Sequence, residues 1–594
     1  MLDLRIYRAA FVVVALALVV VAFSLHSQQR GLQTTLPPDA FDAGQAMAIL
    51  DGSTGQPGLA ARFESRRPGS KADFALAGVI ARGLARPSGP AAFQVSRHDF
   101  QARTIDGERT LRTVIATRPG TVSRQIVLVA HRDAAARGSR AELSGTAALL
   151  ELAHVFAGRR TRRTLTLVST SGGSGGAAGA ADAAGRLDGP VDAVIVLGDL
   201  AASATRKPWI VPWSEGVGAA SVRLRKTVDI ALRDETGQGA GAPRATAQLL
   251  RFAFPLTVSE QGVFAAHGMP AVQVGPGGEL GARSPDAPVS LARMESFGRA
   301  VLRSVTALDA GPNIRPSSPR GDVVLKNQIV PAWAIRLLVG SLLVPPLLAV
   351  VDGVFRVRRR REQPARWFLW ALAGALPFLL LWGVAVLMRL TGLIDAPPQP
   401  APPAAVAVRP AALVAAGVVL AIGWLLVRLV AVRRVGTAGP PGTAGSAAGV
   451  GLLTCIATAA VWIANPFAAA FLVLAAHLWV LAVAPEVRVA RRGGLVMVTI
   501  GLVPLAVAVL AYGFSLHAGP VRLAWMGLLL LAGGHVGILS GVIWSVVAAC
   551  ACGALVVVAR RRAEPSDPST VRSRGPLTYA GPGSLGGTDS ALRR

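Results

Sequence analysis

Apolar positions follow two different patterns along the chain, and the change between them falls near residue 326. Before it, short apolar runs at 125–130 (QIVLVA), 164–169 (TLTLVS) and 193–197 (AVIVL) alternate with helix-like stretches such as 145–157. Short continuous apolar runs are typical of strands that are buried on both faces. The alternation therefore predicts an α/β domain with a mixed, largely parallel sheet flanked by helices.

The second pattern is a series of longer apolar segments, each near the length of a helix that crosses a bilayer. They lie at about 9–25, 329–355, 367–390, 410–432, 449–464, 466–484, 495–515, 522–536 and 538–559. Since a spanning helix needs about 20 apolar residues, these segments predict an all-α polytopic transmembrane bundle. The predicted parts are a transmembrane signal anchor (1–29), the α/β domain (30–325), a bundle of 7–8 helices (326–560) and a disordered basic tail (561–594).

Charge changes this picture mainly by orienting the membrane segments. The chain has 61 Lys and Arg against 33 Asp and Glu, and the densest basic clusters, such as 358–361 and 560–562, flank apolar segments. Basic flanks of this kind are typical of the cytoplasmic side of a membrane. They favour the lipid bilayer over nucleic acid as a partner. The basic start MLDLRIYR predicts a cytoplasmic N-terminus in the cell membrane, with the domain at 30–325 on the extracytoplasmic side.

Two features of the membrane topology stay open from the sequence. Ala22 and Ser24 are small residues that would also suit a signal-peptide cleavage site, so the first span is either retained or removed. Nine crossings would place 560–562 outside, against the charge rule. A re-entrant segment around 533–537 (GGHVG) would give eight crossings instead.

Polar residues and glycines follow the buried runs of the α/β domain in a recognisable order. They are His131 and Asp133 after the first run, Ser144 and Gly145 at the next helix start, a glycine-rich turn after the second run, Asp199 after the third run, and GMPA at 268–271. Over residues 122–273 this order resembles metallopeptidase family 28, the co-catalytic zinc aminopeptidases. The resemblance implies two zinc ions, a bridging carboxylate and a glutamate that serves as general base.

When the family's positions are mapped onto this chain one by one, most of the residues that this chemistry needs are missing. His131 and Asp199 stand at ligand positions of one metal, but Ala141 stands at the bridging aspartate and Gly173 at the general base. An alanine methyl cannot bridge metals, and glycine cannot accept a proton. The resemblance therefore implies a pseudo-peptidase with no assigned catalytic residue, rather than a working enzyme, and no cofactor is expected.

The remaining positions are interpreted as a binding crevice. Ser174 stands at a carboxylate ligand, and Glu260 and Gln261 stand at an Asp-His pair that would supply the last ligand. Together with Asp133 they would line the crevice at the strand ends. His131 and Asp133 are expected to hydrogen-bond there rather than bind metal.

An alternative keeps a single metal in the crevice. Glu142 lies one position beyond the lost bridging aspartate, and a shift in register would bring it to a zinc ion beside His131 and Asp199. This rearranged site would make the protein a metallo-aminopeptidase or a related hydrolase.

The membrane half contains three ionisable side chains within apolar segments: Arg336, His477 and His535. Such groups are functional candidates by default. The structural alternatives are that Arg336 extends to an interface and that His535 lies in a hairpin. His477, within LAAHLWVLA, is the most central of the three.

The architecture resembles membrane-bound aminopeptidases of this family and the pseudo-enzymatic subunit of the GPI transamidase. We expect a multi-pass membrane protein whose exported domain is inactive and binds a peptide, a glycoconjugate or a partner protein. Besides the single-metal hydrolase, a transporter or lipid-handling bundle with an accessory ectodomain remains an alternative.

Overall fold

The structure, a computed structural model, describes most of the chain. The described ranges are 3–86, 92–203, 207–281, 284–312, 321–394, 401–436, 441–487 and 489–560. The tail predicted at 561–594 lies outside these ranges.

One seven-stranded sheet forms the centre of the α/β domain. Its strands are β1 (Gln94–Thr104), β2 (Gly107–Arg118), β3 (Val122–His131), β4 (Arg163–Thr170), β5 (Val191–Leu197), β6 (Trp209–Val211) and β7 (Ala271–Gly275). They lie in the order β1-β2-β4-β3-β5-β7-β6. The central strands β4, β3, β5 and β7 are parallel, and the outer pairings are antiparallel. The sheet is mixed, as the apolar pattern predicted.

Helices cover both faces of this sheet, which explains why its central strands are apolar throughout. In β3, Leu128 and Ala130 pack into the core on one face, whereas Val127 and Val129 pack into the core on the other. Successive side chains of a strand point to opposite faces, so a two-sided core needs a continuous apolar run. One face is covered by Ala43–Asp51, Lys71–Ala85, Ser144–Ala157, Val222–Thr236 and Leu291–Ala310, and the other by Ala178–Arg186 and Gln261–Ala266.

Several short elements complete the described chain between the first two long apolar helices. They are the helices Leu59–Arg62 and Ala245–Ala253, the 3-10 turns Ala141–Leu143 and Gly278–Leu280, a two-stranded pair (Gly52–Ser53, Gln56–Pro57) and a three-stranded sheet (His26–Ser27, Val323–Val324, Gln328–Val330). The three-stranded sheet joins the segment after the first apolar helix to the segment before the second. The domain boundary predicted near 326 therefore falls inside a small sheet rather than in a linker.

Eight helices in the described residues are long and apolar enough to cross a membrane. They are Leu4–Phe23, Ala332–Arg359, Pro364–Leu390, Pro410–Val435, Ala444–Ala464, Pro466–Val483, Arg491–Ser515 and Ile538–Ala559. The apolar segment predicted at 522–536 forms a shorter helix, Pro520–Ala532.

The short helix lies at the end of the bundle that contacts the α/β domain. Just before it along the chain, the hydroxyl of Tyr512 donates a hydrogen bond to the carbonyl of Phe254. Just after it, the imidazole of His535 lies beside the backbone of Pro255, and the Trp544 ring packs on Phe254 with the centroids 5.7 Å apart. The chain thus enters and leaves Pro520–Ala532 on the same side. The segment 533–537, for which the charge rule raised a re-entrant turn, lies beside the domain.

An asparagine cap fixes another part of the junction. Asn465 separates two bundle helices, and its amide oxygen accepts hydrogen bonds from the N–H groups of Phe467 and Ala468, at 3.0 and 3.3 Å. Its amide nitrogen donates to the carbonyls of Phe252 and Ala253 in the α/β domain, at 2.9 and 3.1 Å. One side chain therefore caps one of the long apolar helices and holds it to the domain.

The N-terminal helix is bonded into the bundle through His477. Pro346 has no N–H, so the carbonyl of Leu342, four residues earlier, loses its helical partner. His477 Nε2 lies 2.8 Å from that carbonyl, and its Nδ1 lies 2.6 Å from the Tyr7 hydroxyl. With the proton on Nε2, the imidazole donates to Leu342 and accepts from Tyr7. His477 thus supplies the hydrogen bond that Pro346 cannot donate to Leu342, and it also links the first helix to the bundle.

We expect removal of the Tyr7 hydroxyl to weaken this attachment. Tyr7→Phe should lower the free energy of unfolding by about 1 kcal/mol, the scale of a hydrogen bond between membrane helices. Thermal unfolding of the full-length protein in detergent would measure the loss. In a His477→Leu background the same change should cost nothing further, and an equal cost in both backgrounds would contradict the pairing.

Candidate functional site

The carboxyl ends of the parallel strands meet at one edge of the sheet and form a cavity of about 280 Å³. His131 ends β3, Gly173 and Ser174 follow β4, and Asp199 follows β5; all four line this cavity. Crevices at this edge are the usual ligand sites of open α/β sheets. The structure therefore brings most of the predicted site residues together.

The carboxylate of Asp133 is wholly used in holding the turn after β4. It is fully buried and accepts the N–H of Gly173 at 3.0 Å, the N–H of Ser174 at 3.0 Å and the Ser174 hydroxyl at 2.5 Å. Gly172 and Gly176, with φ of 89° and 82°, let the chain turn on either side of this contact. Asp133 and Ser174 thus satisfy each other and shape the crevice.

Gly173 lies so close to His131 that no side chain fits at this position. A Cβ placed on Gly173 would lie 2.4 Å from the Cβ and 2.6 Å from the Cγ of His131. The general base of the resembled family would start from this point. The absence of a general base at position 173 is therefore a consequence of how the turn packs on His131, and not only of the exchange of one side chain.

Three carboxyl groups line the cavity together with His131: Glu142, Asp199 and Glu260. Burial raises the pKa of each of them, in the case of Asp199 to about 7, and the imidazole of His131 opposes the rise in all three. Glu260 accepts a hydrogen bond from the Thr170 hydroxyl at 2.6 Å through one oxygen. The backbone N–H groups of Asp199 and Gly277 also lower the pKa of Asp199, although neither completes a well-formed hydrogen bond.

This arrangement does not match a two-zinc centre. Ala141 is buried and offers no donor atom at the bridging position, and Gly173 has no room for a base. His131, Glu142 and Asp199 share the cavity, but across the described ranges no three His, Cys, Asp or Glu side chains converge closely enough to hold a metal ion. A single metal at these residues would need them to move together.

Gln261 and His267, which lie near the position of the lost histidine ligand, are used elsewhere. The Gln261 amide donates to the Thr257 hydroxyl at 3.0 Å and to the Trp213 carbonyl at 3.3 Å. The His267 imidazole lies 2.9 Å from the carbonyl of Val263 in its own helix. Gln261 is buried in the packing and His267 is exposed at the end of its helix, whereas Glu260 lines the cavity.

Arg336 lies at the surface of the bundle. Its guanidinium lies over the Trp462 ring, 5.3 Å from the centroid, and 3.4 Å from the carbonyl of Ile463. These contacts stabilise one helix against the next.

The sequence gives no sign of two further parts of the cavity wall. Pro402 and Ala405, from the segment between two of the long apolar helices, close one side. On another side lies Glu279, which pairs with Arg251 at 2.6 Å. The Arg251 guanidinium in turn lies 5.1 Å from the centre of the Tyr512 ring, which belongs to a membrane helix. Both parts depend on contacts between residues far apart in the chain.

No family model and no curated protein matches the chain. Among solved structures, a zinc aminopeptidase from Bacillus subtilis is similar over 48% of this chain and 99% of its own, at 11% identity and a TM-score of 0.37. A glutaminyl cyclase from Bacteroides thetaiotaomicron bound to N-acetylhistamine matches over 46% and 99%, at 15% identity and 0.36. A Zn-dependent exopeptidase from Parabacteroides distasonis matches over 46% and 99%, at 17% identity and 0.34. At these values no site or activity is carried over, so the chemistry rests on this chain's own residues.

The close approach of Gly173 to His131 can be tested by adding one methyl group. Gly173→Ala should lower the free energy of unfolding by about 1–3 kcal/mol, the cost of overpacking a filled site. A His131→Gly background removes the contacted atoms and should abolish most of that cost. Denaturation of the unmodified protein, the two single variants and the double variant would measure it. Gly185→Ala, where the added carbon meets open space, serves as the control and should not destabilise.

The raised pKa of Asp199 predicts a pH-dependent loss of stability. The neutral form is favoured in the fold, so its contribution is complete below the ordinary pKa of 3.8 and is lost as pH rises to about 7. The shift corresponds to roughly 4 kcal/mol. Asp199→Asn cannot ionise, so its advantage over the unmodified protein should grow between pH 4 and pH 7 and then level off. Melting temperatures across this range would measure it, and a constant difference would contradict the assignment.

Proposed function

We propose that this is a multi-pass membrane protein whose peptidase-like α/β domain does not hydrolyse peptides and binds a ligand in the cavity at the strand ends. The observation that carries the proposal is the contact between Gly173 and His131, which leaves no room for a base at position 173. Hydrolysis by the mechanism of the resembled family needs a group that takes a proton from water. Asp133 cannot replace that group, because its oxygens already accept three hydrogen bonds.

The same cavity retains what a binding site requires. It combines acidic side chains with an apolar rim that includes Val258, Leu280 and Pro285. A small cavity with a few polar groups among apolar walls is typical of ligand sites. We propose a peptide, a glycoconjugate or a partner protein as the source of the bound group.

The proposal also covers location. The basic residues that flank the apolar helices favour an N-terminus in the cytoplasm. The α/β domain would then lie on the extracytoplasmic side of the cell membrane, held to the bundle through Asn465 and Tyr512.

Full-length protein in nanodiscs should show no aminopeptidase turnover above that of a His131→Ala variant, with or without added zinc. Amino-acid amides and short peptides with a fluorogenic leaving group would measure the rate. Turnover that a chelator removes, and that His131→Ala loses, would overturn the proposal.

A second candidate is a hydrolase with one rearranged metal. The observation in its favour is that His131, Glu142 and Asp199 line one cavity, and that both Asp199 oxygens lack a hydrogen-bond partner among the described residues. In the same preparations, near-stoichiometric zinc that is lost in Asp199→Ala would favour this candidate. Protein without bound metal and without turnover would favour the binding role.

A further inference from the structure

A second concave surface lies on a helix-covered face of the α/β domain, away from the cavity at the strand ends. It has a volume of about 1200 Å³ and lies between the helices Ala43–Asp51, Lys71–Ala85 and Ser144–Ala157. The last of these helices begins beside the cavity, where the Thr146 hydroxyl donates to the carbonyl of His131, and it ends at this second surface. With 14 residues it spans roughly 20 Å. The second surface is therefore separated by about one helix length from the cavity and from the bundle residues that line it.

This surface carries a concentrated positive charge. Five arginines and one histidine line it, and we name it the arginine groove: Arg62, Arg82, Arg86, Arg159, Arg160 and His154. None of the described residues that line it is acidic. Elsewhere on the same domain, the exposed side chains of Arg67, Arg137 and Arg140 each pair with a carboxylate. The guanidinium groups of the arginine groove have no such partner in the described part of the chain.

Helix ends offset only part of this charge. The residue that follows each of the three helices, namely Gly52, Arg86 or Gly158, lines the groove, so three helix C-termini meet there. Each C-terminus carries about half a negative elementary charge, which gives about 1.5 negative charges in all. Five guanidinium groups exceed this several times, and like charges without a counter-charge repel one another. The arginine groove is therefore electrostatically complementary to a ligand with several negative charges.

The bottom of the arginine groove is apolar. Ile49, Leu59, Val79 and Leu150 line it and pack on the core of the domain. A polyphosphate or an acidic polysaccharide has no apolar groups to cover such a surface. Single-stranded nucleic acids stack their bases on aromatic rings, and no described residue of the lining is aromatic. A peptide that carries both acidic and apolar side chains matches the guanidinium groups and the apolar bottom together.

We propose that the arginine groove binds an acidic segment of a partner protein in which acidic and apolar side chains are interspersed. Its carboxylates accept paired hydrogen bonds from the planar guanidinium groups, and its apolar side chains cover Val79 and Leu150. Because the groove is separate from the bundle, the partner approaches from the aqueous side and not from the bilayer. This inference goes beyond the proposed function, which concerns the cavity at the strand ends.

Peptide probes test the chemistry of the ligand. Full-length protein in nanodiscs of phosphatidylcholine, which has no net charge, would be titrated against labelled probes by fluorescence anisotropy, with empty nanodiscs as the blank. The probes are a short peptide of interspersed glutamate and leucine, the same peptide with glutamine in place of glutamate, and oligoglutamate and polyphosphate of the same charge as the first. We expect the glutamate–leucine peptide to bind tightest and the glutamine peptide not to bind. Oligoglutamate or polyphosphate binding as tightly would overturn the inference, since charge alone would then explain it.

Variants that remove charge locate the site. Arg82→Gln, Arg86→Gln and Arg160→Gln should each weaken binding of the glutamate–leucine peptide about two- to fivefold, the scale of an exposed ion pair. Together they should weaken it about tenfold or more. The matched control removes the same charge outside the groove, by glutamine at three exposed arginines of the outer strands: Arg97, Arg103 and Arg109. At physiological salt, where distant charges are screened, the control should keep its affinity. Equal losses in the two triple variants would contradict the site.

The apolar bottom has a separate test. Val79→Thr keeps the shape of the side chain and adds a hydroxyl, so it should weaken binding of the glutamate–leucine peptide and leave that of oligoglutamate unchanged. The melting temperature of each variant would establish that it is folded. An unchanged affinity of Val79→Thr for the glutamate–leucine peptide would contradict the inference.

A cavity variant separates the arginine groove from the proposed function. Asp199→Asn should bind the glutamate–leucine peptide as the unmodified protein does, because Asp199 lines the cavity and not the groove. Loss of binding in Asp199→Asn, with binding kept in the triple groove variant, would place the peptide in the cavity and overturn the inference. Peptidase turnover would overturn the proposed function and leave the groove unaffected.

Discussion

The form of the cavity depends on one buried carboxylate, Asp133, which holds the turn after β4 against the end of β3. Three hydrogen bonds to one fully buried carboxyl group hold the glycine-rich turn in this conformation. The turn then lies directly on His131, so position 173 accepts only a hydrogen atom as side chain. The same contact that orders the site therefore excludes a side chain at position 173, where the resembled family has its general base. Carboxyl groups remain in the crevice at Glu142, Asp199 and Glu260, where they can accept hydrogen bonds from a ligand.

Much of the α/β domain could be predicted because its determinants are local. The run QIVLVA is apolar on both faces, so it identifies β3 as a central strand and places His131 at its carboxyl end. Asp199 follows β5 by the same reasoning. The sequence also brought Glu142 forward as an alternative neighbour of these two, and the cavity contains all three. The closeness of Gly173 to His131 was beyond prediction, since it depends on how two turns pack and not on either turn alone.

In the half of the chain with the long apolar helices, less of the structure could be predicted, because its determinants are contacts between distant residues. Hydropathy located the long apolar helices, and the charge rule raised a re-entrant segment around 533–537. The composition of 522–536 equals that of its neighbours, so hydropathy alone did not identify the short helix Pro520–Ala532. His477 stood out as an ionisable group among apolar residues. Its role follows from Pro346, which frees the carbonyl of Leu342. A proline always leaves such a carbonyl four residues earlier, so the need for a donor could be read from the sequence, but the identity of the donor could not.

The wall at 401–405 has a consequence for how the protein is made. The strands that supply the acidic floor are complete by residue 275, but Pro402 and Ala405 arrive only after more of the chain has been synthesised and two further helices have been inserted. Domains generally fold as units during synthesis, in order from the N-terminus. The α/β domain would therefore exist for a time with its crevice open on one side, and the finished cavity would mark a chain whose bundle has assembled. Binding at this site would then report on the integrity of the whole protein and not on the domain alone.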